Sequence, residues 1–196
     1  MAKLYYRYGA MNSGKSTALM QVAHNYEERG MKVLLIKPKI DKKGNNAIVS
    51  RLGIKRKVDL LADKNMNLEQ TIKQWHKDVY PVSCVLIDEA QFLEEEQVEQ
   101  LFSLTVKSNI PVIAYGLRTD FLGKLFPCSR TLFALAHSLE ELKTICRCGK
   151  KAIMNARKVN GKFVFSGTQV AIDGADEVSY ESLCGSCYFQ EQAEKN

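Results

Sequence analysis

One segment near the amino terminus has the residue types and spacing of a phosphate-binding loop. It fits the pattern G-x4-G-K-S, with a predicted strand before it and a predicted helix after it. It consists of Gly9, Ala10, Met11, Asn12, Ser13, Gly14, Lys15 and Ser16. The glycines let backbone amides curl around a phosphate, Lys15 can reach the β and γ oxygens, and the Ser16 hydroxyl can ligate Mg²⁺. We therefore interpret the segment as a nucleotide-binding loop rather than a chance glycine turn before a helix.

Two carboxylates, Asp88 and Glu89, follow the apolar segment from Val85 to Ile87. Ligands of open parallel sheets bind at the carboxyl ends of the strands, where these side chains would lie. Asp88 suits a second metal contact, direct or through water, and Glu89 points elsewhere because successive strand residues alternate. With an ordinary pKa of ~4.3, Glu89 can take the proton of an attacking hydroxyl only as the phosphoryl group transfers. The alternative is a pair of solvated carboxylates after a core strand.

Four of the six cysteines form two close pairs, Cys146 with Cys148 and Cys184 with Cys187. Four thiolates make a closed tetrahedral Zn²⁺ site, which leaves no position for water and is therefore structural. A redox dithiol is the alternative, although neither pair is predicted to follow a strand at the head of a helix. A zinc ion would pin both ends of residues 149–183 and lower the entropic cost of ordering that loop.

The elements that must position these residues alternate between strands and helices. Apolar or aromatic runs predict strands over residues 4–8, 31–38, 83–88 and 110–116. Helical spacing predicts helices over residues 16–30, 68–79 and 94–107, the second with Leu68, Ile72, Trp75 and Val79 on one face. Residues 39–67 are interpreted as a loop. The pattern predicts an α/β fold, a P-loop NTPase-like parallel sheet with flanking helices plus a small zinc-binding β-rich domain.

Composition limits the possible classes. The 196 residues, 45% hydrophobic and 26% charged, suit one sizeable core plus a small domain and exclude disordered and fibrous classes. We expect an α/β domain over residues 1–140, a zinc-binding domain over 141–190 with a tight turn at Asn160-Gly161, and a disordered tail over 191–196. Without a long apolar run or a secretory signal, we expect no membrane partner and a cytoplasmic location. The net charge of +6 suits phosphate-bearing ligands, but no aromatics interleave the basic run of residues 37–57, so we expect no nucleic-acid partner.

The segments GAMNSGKST, LIDEAQF and GLRTDF, followed by C-x-C and C-x2-C, resemble the thymidine kinases of the cellular, zinc-containing type, in a bacterial form. The resemblance covers nearly the whole chain. It implies ATP-dependent transfer of the γ-phosphoryl group to the 5′-hydroxyl of thymidine or deoxyuridine, in pyrimidine salvage, with Mg²⁺ and structural Zn²⁺. It also implies a homo-oligomer, typically a tetramer in this family.

The same resemblance implies roles for individual residues. Glu89 is similar to the family's catalytic base, and Asp88 and Gln91 would lie beside the phosphates and the metal. The residues expected around the pyrimidine are Phe92, Phe121, Phe126, the lasso segment of Gln169, Val170, Ala171, Ile172 and Asp173, and Tyr180. Lys43 stands where the family has an Arg after an acidic residue, and Arg157 is interpreted as a phosphate or lasso contact or as a hairpin surface residue.

Two other functions are compatible with these residues. A nucleic-acid-dependent ATPase also combines a strand-end Asp-Glu with a zinc ribbon, but such enzymes generally need a second large lobe, which this chain lacks. A non-catalytic zinc module with a vestigial nucleotide site is the other, and the intact Lys15, Ser16, Asp88 and Glu89 argue against it.

Overall fold

Within residues 1–169 and 177–194, which a computed structural model describes, six parallel strands form a central sheet. Their bounds are β1 Leu4–Gly9, β2 Val33–Pro38, β5 Leu60–Ala62, β6 Cys84–Ile87, β7 Val112–Leu117 and β8 Ser138–Glu141. They stand in the order β5-β2-β6-β7-β1-β8, and each neighbouring pair is parallel. The strand that leads into the phosphate loop, β1, is therefore an interior strand, and β6, which leads into Asp88, is separated from it by β7.

Helices cover both faces of this sheet. Their bounds are α1 Lys15–Glu27, α2 Leu68–Asp78, α3 Glu95–Ser108, α4 Pro127–Leu135 and α5 Gly185–Ala193, with a 3-10 turn at Ala90–Phe92. Leu34 and Leu35, adjacent in β2, belong to two different cores: the first packs with α2, α3 and α4, the second with α1. Burial on both faces is the reason that the central strands are continuously apolar. No helix of the described chain is long and apolar enough to cross a membrane.

A smaller β-rich part follows the sheet, which confirms that prediction. Its strands are β9 Thr144–Ile145, β10 Lys151–Ala152, β11 Met154–Val159, β12 Lys162–Val164 and β13 Val178–Leu183. β11 pairs antiparallel with both β12 and β13. Asn160 and Gly161 have φ of 49° and 78°, and such positive values at both positions are what the tight two-residue turn between β11 and β12 requires.

The interpretation of residues 39–67 as a loop is wrong in part. β3 Ala47–Val49 and β4 Lys55–Lys57 form a separate hairpin in this segment, and β5 is an edge strand of the central sheet. Each strand has only three residues, too few for an alternating hydrophobic pattern to be recognised.

Helix α4 and strand β8 also lie outside the predicted elements. β8 is a polar edge strand of sequence SLEE, so it has no apolar run to reveal it. Val79 was expected on the inner face of α2, but that helix ends at Asp78 and the Val79 side chain is 59% exposed. Helix α5 continues through Ala193, although a disordered tail was predicted from residue 191.

Candidate active site

The phosphate loop joins β1 to α1 in a tightly curled conformation. Asn12 and Gly14 have positive φ of 64° and 77°. A Cβ at Gly9 would collide with a backbone carbonyl oxygen and with a loop side chain, so no larger residue fits there. Within the described residues, no group accepts a hydrogen bond from the amides of Gly14, Lys15 or Ser16. These amides and the positive end of α1 are therefore available to an anion.

Lys15 is folded over the loop that carries it. Its Nζ donates to the Ala10 carbonyl oxygen at 2.8 Å and to Ser13 Oγ at 3.3 Å. Burial lowers the pKa of Lys15, and the neighbouring carboxylates of Glu89 and Asp88 partly offset that effect. A phosphate in the loop would further favour the charged ammonium.

Ser16 and Asp88 meet at the mouth of this loop. Ser16 Oγ donates to Asp88 Oδ2 at 3.1 Å, and Asp88 is only 4% exposed. Burial, followed by repulsion from Glu89, raises the pKa of Asp88 to about 7. Hydroxyl and carboxylate oxygens are the ligands that Mg²⁺ prefers, and a cation beside them would favour the ionised carboxylate. The two side chains therefore fit a Mg²⁺ site.

Glu89 is held in a strained backbone conformation beside Asp88. Its φ of 50° and ψ of 41° lie in the left-handed region, which costs a non-glycine residue ~1–3 kcal/mol. Gln91 Nε2 donates to Glu89 Oε2 at 2.6 Å, and Gln91 Oε1 accepts from the Leu117 amide at 2.9 Å. A Cβ at Gly116 would lie 2.9 Å from Gln91 Oε1, so this contact requires glycine. No sequence motif predicts the requirement for glycine at position 116 or the left-handed conformation of Glu89.

The phenylalanines expected around the pyrimidine are partly or fully buried. Phe92 and Phe126 meet edge to face, with ring centroids 5.8 Å apart. Phe121 is 2% exposed, and the guanidinium carbon of Arg157 lies 3.7 Å from its ring centroid. One face of Phe121 is therefore covered by a cation, a contact that the sequence did not predict.

Arg157 lies at the centre of this cluster, so its interpretation as a hairpin surface residue is wrong. Its Nη1 and Nη2 donate to the carbonyl oxygens of Thr168 and Gln169, both at 2.8 Å. Its Nε donates to the Tyr180 hydroxyl at 3.0 Å. Gln169 Nε2 also donates to Asp120 Oδ2 at 3.1 Å. The remaining residues of the expected lasso segment lie outside the described residues: Val170, Ala171, Ile172 and Asp173.

The four cysteines of the two predicted pairs converge. Their Sγ atoms all lie within 4.8 Å of one another, and those of Cys148 and Cys184 are 3.6 Å apart. Tetrahedral zinc with Zn–S bonds of ~2.3 Å places its sulfurs ~3.8 Å apart, so the group could hold zinc. The expectation that neither pair follows a strand at the head of a helix is wrong, because Cys184 follows β13 and caps α5. Convergence of all four thiols nevertheless favours a metal over a redox pair.

The small β-rich part also contacts the phosphate loop. Asn155 Oδ1 accepts from the Met11 amide at 2.7 Å, and Ser182 Oγ donates to the Met11 carbonyl oxygen. Thr144 Oγ1 donates to the Asn12 carbonyl oxygen at 3.3 Å. These contacts join residues more than a hundred positions apart in the chain, and no local pattern predicts them.

Two cations of the basic run lie near the loop. Lys43 and Arg51 are both close enough to contribute to lowering the pKa of Lys15. The sequence alone indicates no site role for Arg51, which lies within the basic run of residues 37–57. Lys37, in the same run, is buried and lies 3.0 Å from Asp41 Oδ2, so its role is to hold the segment after β2.

Comparison with known proteins decides the family. The family model for thymidine kinase matches residues 2–188. The chain belongs to the thymidine kinase family. It is 50% identical over 196 residues to a thymidine kinase of Legionella pneumophila, covering 99% of this chain and 92% of that protein. It is 50% identical over 186 residues to that of Enterobacteria phage T4, covering 94% of each. It is 46% identical over 190 residues to that of Yersinia pseudotuberculosis, covering 96% of this chain and 95% of that one.

Membership of the thymidine kinase family confirms the resemblance inferred from the motifs and makes the chain a kinase. The parallel sheet, the flanking helices and the cysteine cluster confirm the predicted fold class. A solved structure of the Thermotoga maritima RuvB Holliday junction branch migration motor is also similar, with a TM-score of 0.40 and 15% identity, covering 75% of this chain and 40% of that one. At that score the likeness supports no conclusion about this member of the thymidine kinase family.

Proposed function

We propose that this kinase transfers the γ-phosphoryl group of ATP to the 5′-hydroxyl of thymidine, and also of deoxyuridine, giving ADP and the nucleoside monophosphate. The observation that carries the proposal is the meeting of a phosphate loop with two strand-end carboxylates. Ser16 Oγ lies 3.1 Å from Asp88 Oδ2, and Glu89 is the adjacent residue. The names of the relatives support thymidine as the acceptor.

On the donor side, residues 9–16 bind the phosphates of ATP. The amides of Gly14, Lys15 and Ser16, which donate to no group of the described residues, and the ammonium of Lys15 offset the phosphate charge. Ser16 and Asp88 would hold Mg²⁺, which when bound neutralises charge on the β and γ oxygens. Lys43 and Arg51 add positive charge near Lys15.

On the acceptor side, Glu89 takes the proton of the 5′-hydroxyl. The 5′-oxygen forms a bond to the γ phosphorus, and the bond from that phosphorus to the bridging oxygen breaks, with its electron pair leaving on ADP. Gln91 orients the Glu89 carboxylate through its 2.6 Å hydrogen bond. Phe92, Phe126 and Tyr180 offer aromatic surface to the pyrimidine.

The proposal also covers the organisation of the chain. Residues 1–140 form the domain that binds ATP, and residues 141–190 form the domain that covers the base, with Gln169–Asp173 as the lasso. Cys146, Cys148, Cys184 and Cys187 would hold a structural zinc ion that fixes the ends of this domain. By resemblance to the family, the kinase is a cytoplasmic homotetramer of pyrimidine salvage with no nucleic-acid partner.

A product assay tests the proposed reaction. The purified protein is incubated with Mg-ATP and, separately, thymidine, deoxyuridine, deoxycytidine, deoxyadenosine and uridine, and the products are scored as 5′-monophosphates. Selective formation of the thymidine and deoxyuridine monophosphates is the expected result. If folded protein phosphorylates none of them but hydrolyses ATP when nucleic acid is added, the nucleic-acid-dependent ATPase replaces the proposal.

A further inference from the structure

One strand of the small domain contacts loops on both sides of the candidate active site. Asn155 and Arg157 are two residues apart in β11, so their side chains point to the same face of the strand. They are 2% and 5% exposed. Lys158, the next residue, points to the other face, where its Nζ lies 2.6 Å from Glu181 Oε2.

Asn155 fixes the phosphate loop through a bridge. Its Oδ1 accepts from the Met11 amide at 2.7 Å, while its Nδ2 donates to the Thr119 carbonyl oxygen at 2.8 Å. Ser182, which is opposite Asn155 in the β11–β13 pair, donates to the Met11 carbonyl oxygen. Both backbone polar groups of Met11 are therefore bound by the small domain, and the position of the phosphate loop depends on β11 and β13.

Arg157 lies on the same face of β11 and binds residues on the side of the site where the nucleoside is proposed to bind. Among the described residues, no carboxylate lies within ion-pair distance of its guanidinium. Its charge is satisfied instead by the carbonyl oxygens of Thr168 and Gln169, the Tyr180 hydroxyl and the ring of Phe121. A planar fork with several donors is suited to hold such acceptors in one fixed arrangement.

We propose that β11 positions both binding sites, with Asn155 as a positioning residue for ATP and Arg157 as a positioning residue for the nucleoside. This inference rests on the proposed function, because it assigns ATP to the phosphate loop and a pyrimidine nucleoside to the region of Phe121, Gln169 and Tyr180. Neither residue touches the reacting atoms. Each acts through the loop that it holds, so substitution of Asn155 should raise KM for Mg-ATP alone and substitution of Arg157 should raise KM for thymidine alone.

The nucleoside half is tested with Arg157→Lys, which keeps the positive charge but loses the fork. We expect KM for thymidine to rise about tenfold, since at least one charge-assisted hydrogen bond is lost. KM for Mg-ATP should change less than about twofold, the usual range for a site left untouched. Should this variant fail to fold, Tyr180→Phe removes one acceptor of Arg157 without changing charge and should raise KM for thymidine about threefold.

The ATP half is tested with Asn155→Ala, which frees the Met11 amide. We expect KM for Mg-ATP to rise about fivefold, with KM for thymidine changed less than about twofold. Lys158→Met is the matched control, because it removes a cation from the opposite face of the same strand and should leave both KM values within about twofold of the original. Unfolding midpoints are measured for every variant, since a purely structural role would lower the midpoint without separating the two KM values.

The proposal is overturned if both KM values rise by the same factor in each variant, or if neither rises. Calorimetric titration with thymidine and with a non-hydrolysable ATP analogue separates this failure from failure of the proposed function. A wild-type protein that phosphorylates no nucleoside contradicts the proposed function, and weakened analogue binding confined to Asn155→Ala would then still support the role of Asn155. Unchanged analogue binding in that variant would contradict it.

Discussion

The region of the phosphate loop and its strand-end carboxylates differs from the cluster around Arg157 in how its residues are distributed along the chain. In the first region, the residues lie in two short segments of the chain, 9–16 and 88–91, and each segment contains a residue with positive φ. In the second, Phe121, Arg157, Gln169 and Tyr180 come from four separate places in the chain and meet only in the folded protein. The first kind of site can be recognised from a motif, whereas the second depends on how strands pair.

The same difference predicts how each region responds to substitution. In the proposed function, residues of the first region face the phosphates and the transferred proton, so their loss should act mainly on turnover. In the same proposal, residues of the second region hold loops that surround the nucleoside, so their loss should act mainly on KM or on stability. Glu89→Gln and Gly116→Ala test the first region, and Cys148→Ser and Gly161→Ala test the small domain that contains Arg157, in order of decreasing expected effect.

Glu89→Gln should abolish most of the turnover. An amide of the same shape cannot accept the hydroxyl proton, and general-base catalysis is worth about 10²–10⁴-fold. Binding of the ATP analogue should remain nearly unchanged, because the phosphate loop is intact. Steady-state kinetics and calorimetry measure the two effects. Glu99→Gln, on the exposed face of α3, is the matched control, and near-normal turnover in Glu89→Gln would remove its assignment as the base.

Cys148→Ser should remove the zinc ion. The purified wild-type chain should carry about one zinc per chain and the variant almost none, with a fall in unfolding free energy of about 3 kcal/mol, since loss of a structural metal is among the most destabilising changes. Metal analysis and urea unfolding measure both.

Cys84→Ala serves as its control. Cys84 is a buried thiol in β6, far from the cluster in sequence, and its loss should cost about 1 kcal/mol of packing while zinc content stays the same. Wild-type protein that contains no zinc, with free thiols and an intact fold, would contradict the metal assignment.

Gly116→Ala should lower turnover about tenfold. The substitution would displace Gln91, which is bonded to Glu89, and a misplaced catalytic carboxylate is less well oriented toward the substrate. The new Cβ would lie 2.9 Å from Gln91 Oε1, displacing the amide that binds both Leu117 and Glu89. Both KM values should stay close to their original level. Gly185→Ala, where a Cβ meets nothing within 4 Å, is the control, and equal turnover in the two variants would disprove the role of Gly116.

The fold was predictable wherever a strand has an apolar or aromatic run or a helix has apolar residues at helical spacing. The strands β1, β2, β6 and β7 and the helices α1, α2 and α3 follow the predicted segments closely. The strand β8 was not predictable because an edge strand need not be apolar and its sequence is polar, and β5 was not predictable because it has only three residues.

The candidate site divides in the same way. The proximity of Ser16 and Asp88 follows from the loop motif and from the carboxyl-edge rule for parallel sheets. The buried role of Arg157 does not, because a hairpin arginine ordinarily faces solvent and only the pairing of β11 with β13 brings Tyr180 to it. Likewise, the bond between Met11 and Asn155 spans 144 positions of the chain.

Gly161→Ala is expected to have the smallest effect. It tests whether local and long-range contacts within the small domain can be separated. The Asn160-Gly161 turn is formed by adjacent residues and was predictable from the sequence, so substitution of Gly161 should disturb the turn alone. An alanine at the φ of 78° costs about 1 kcal/mol of unfolding free energy, and Gly161→Asn should cost less because asparagine tolerates the left-handed region. Urea unfolding measures both, with KM for thymidine and Mg-ATP unchanged. A rise in KM for thymidine would instead mean that the turn sets the position of β11, and that local and long-range contacts in this domain cannot be separated.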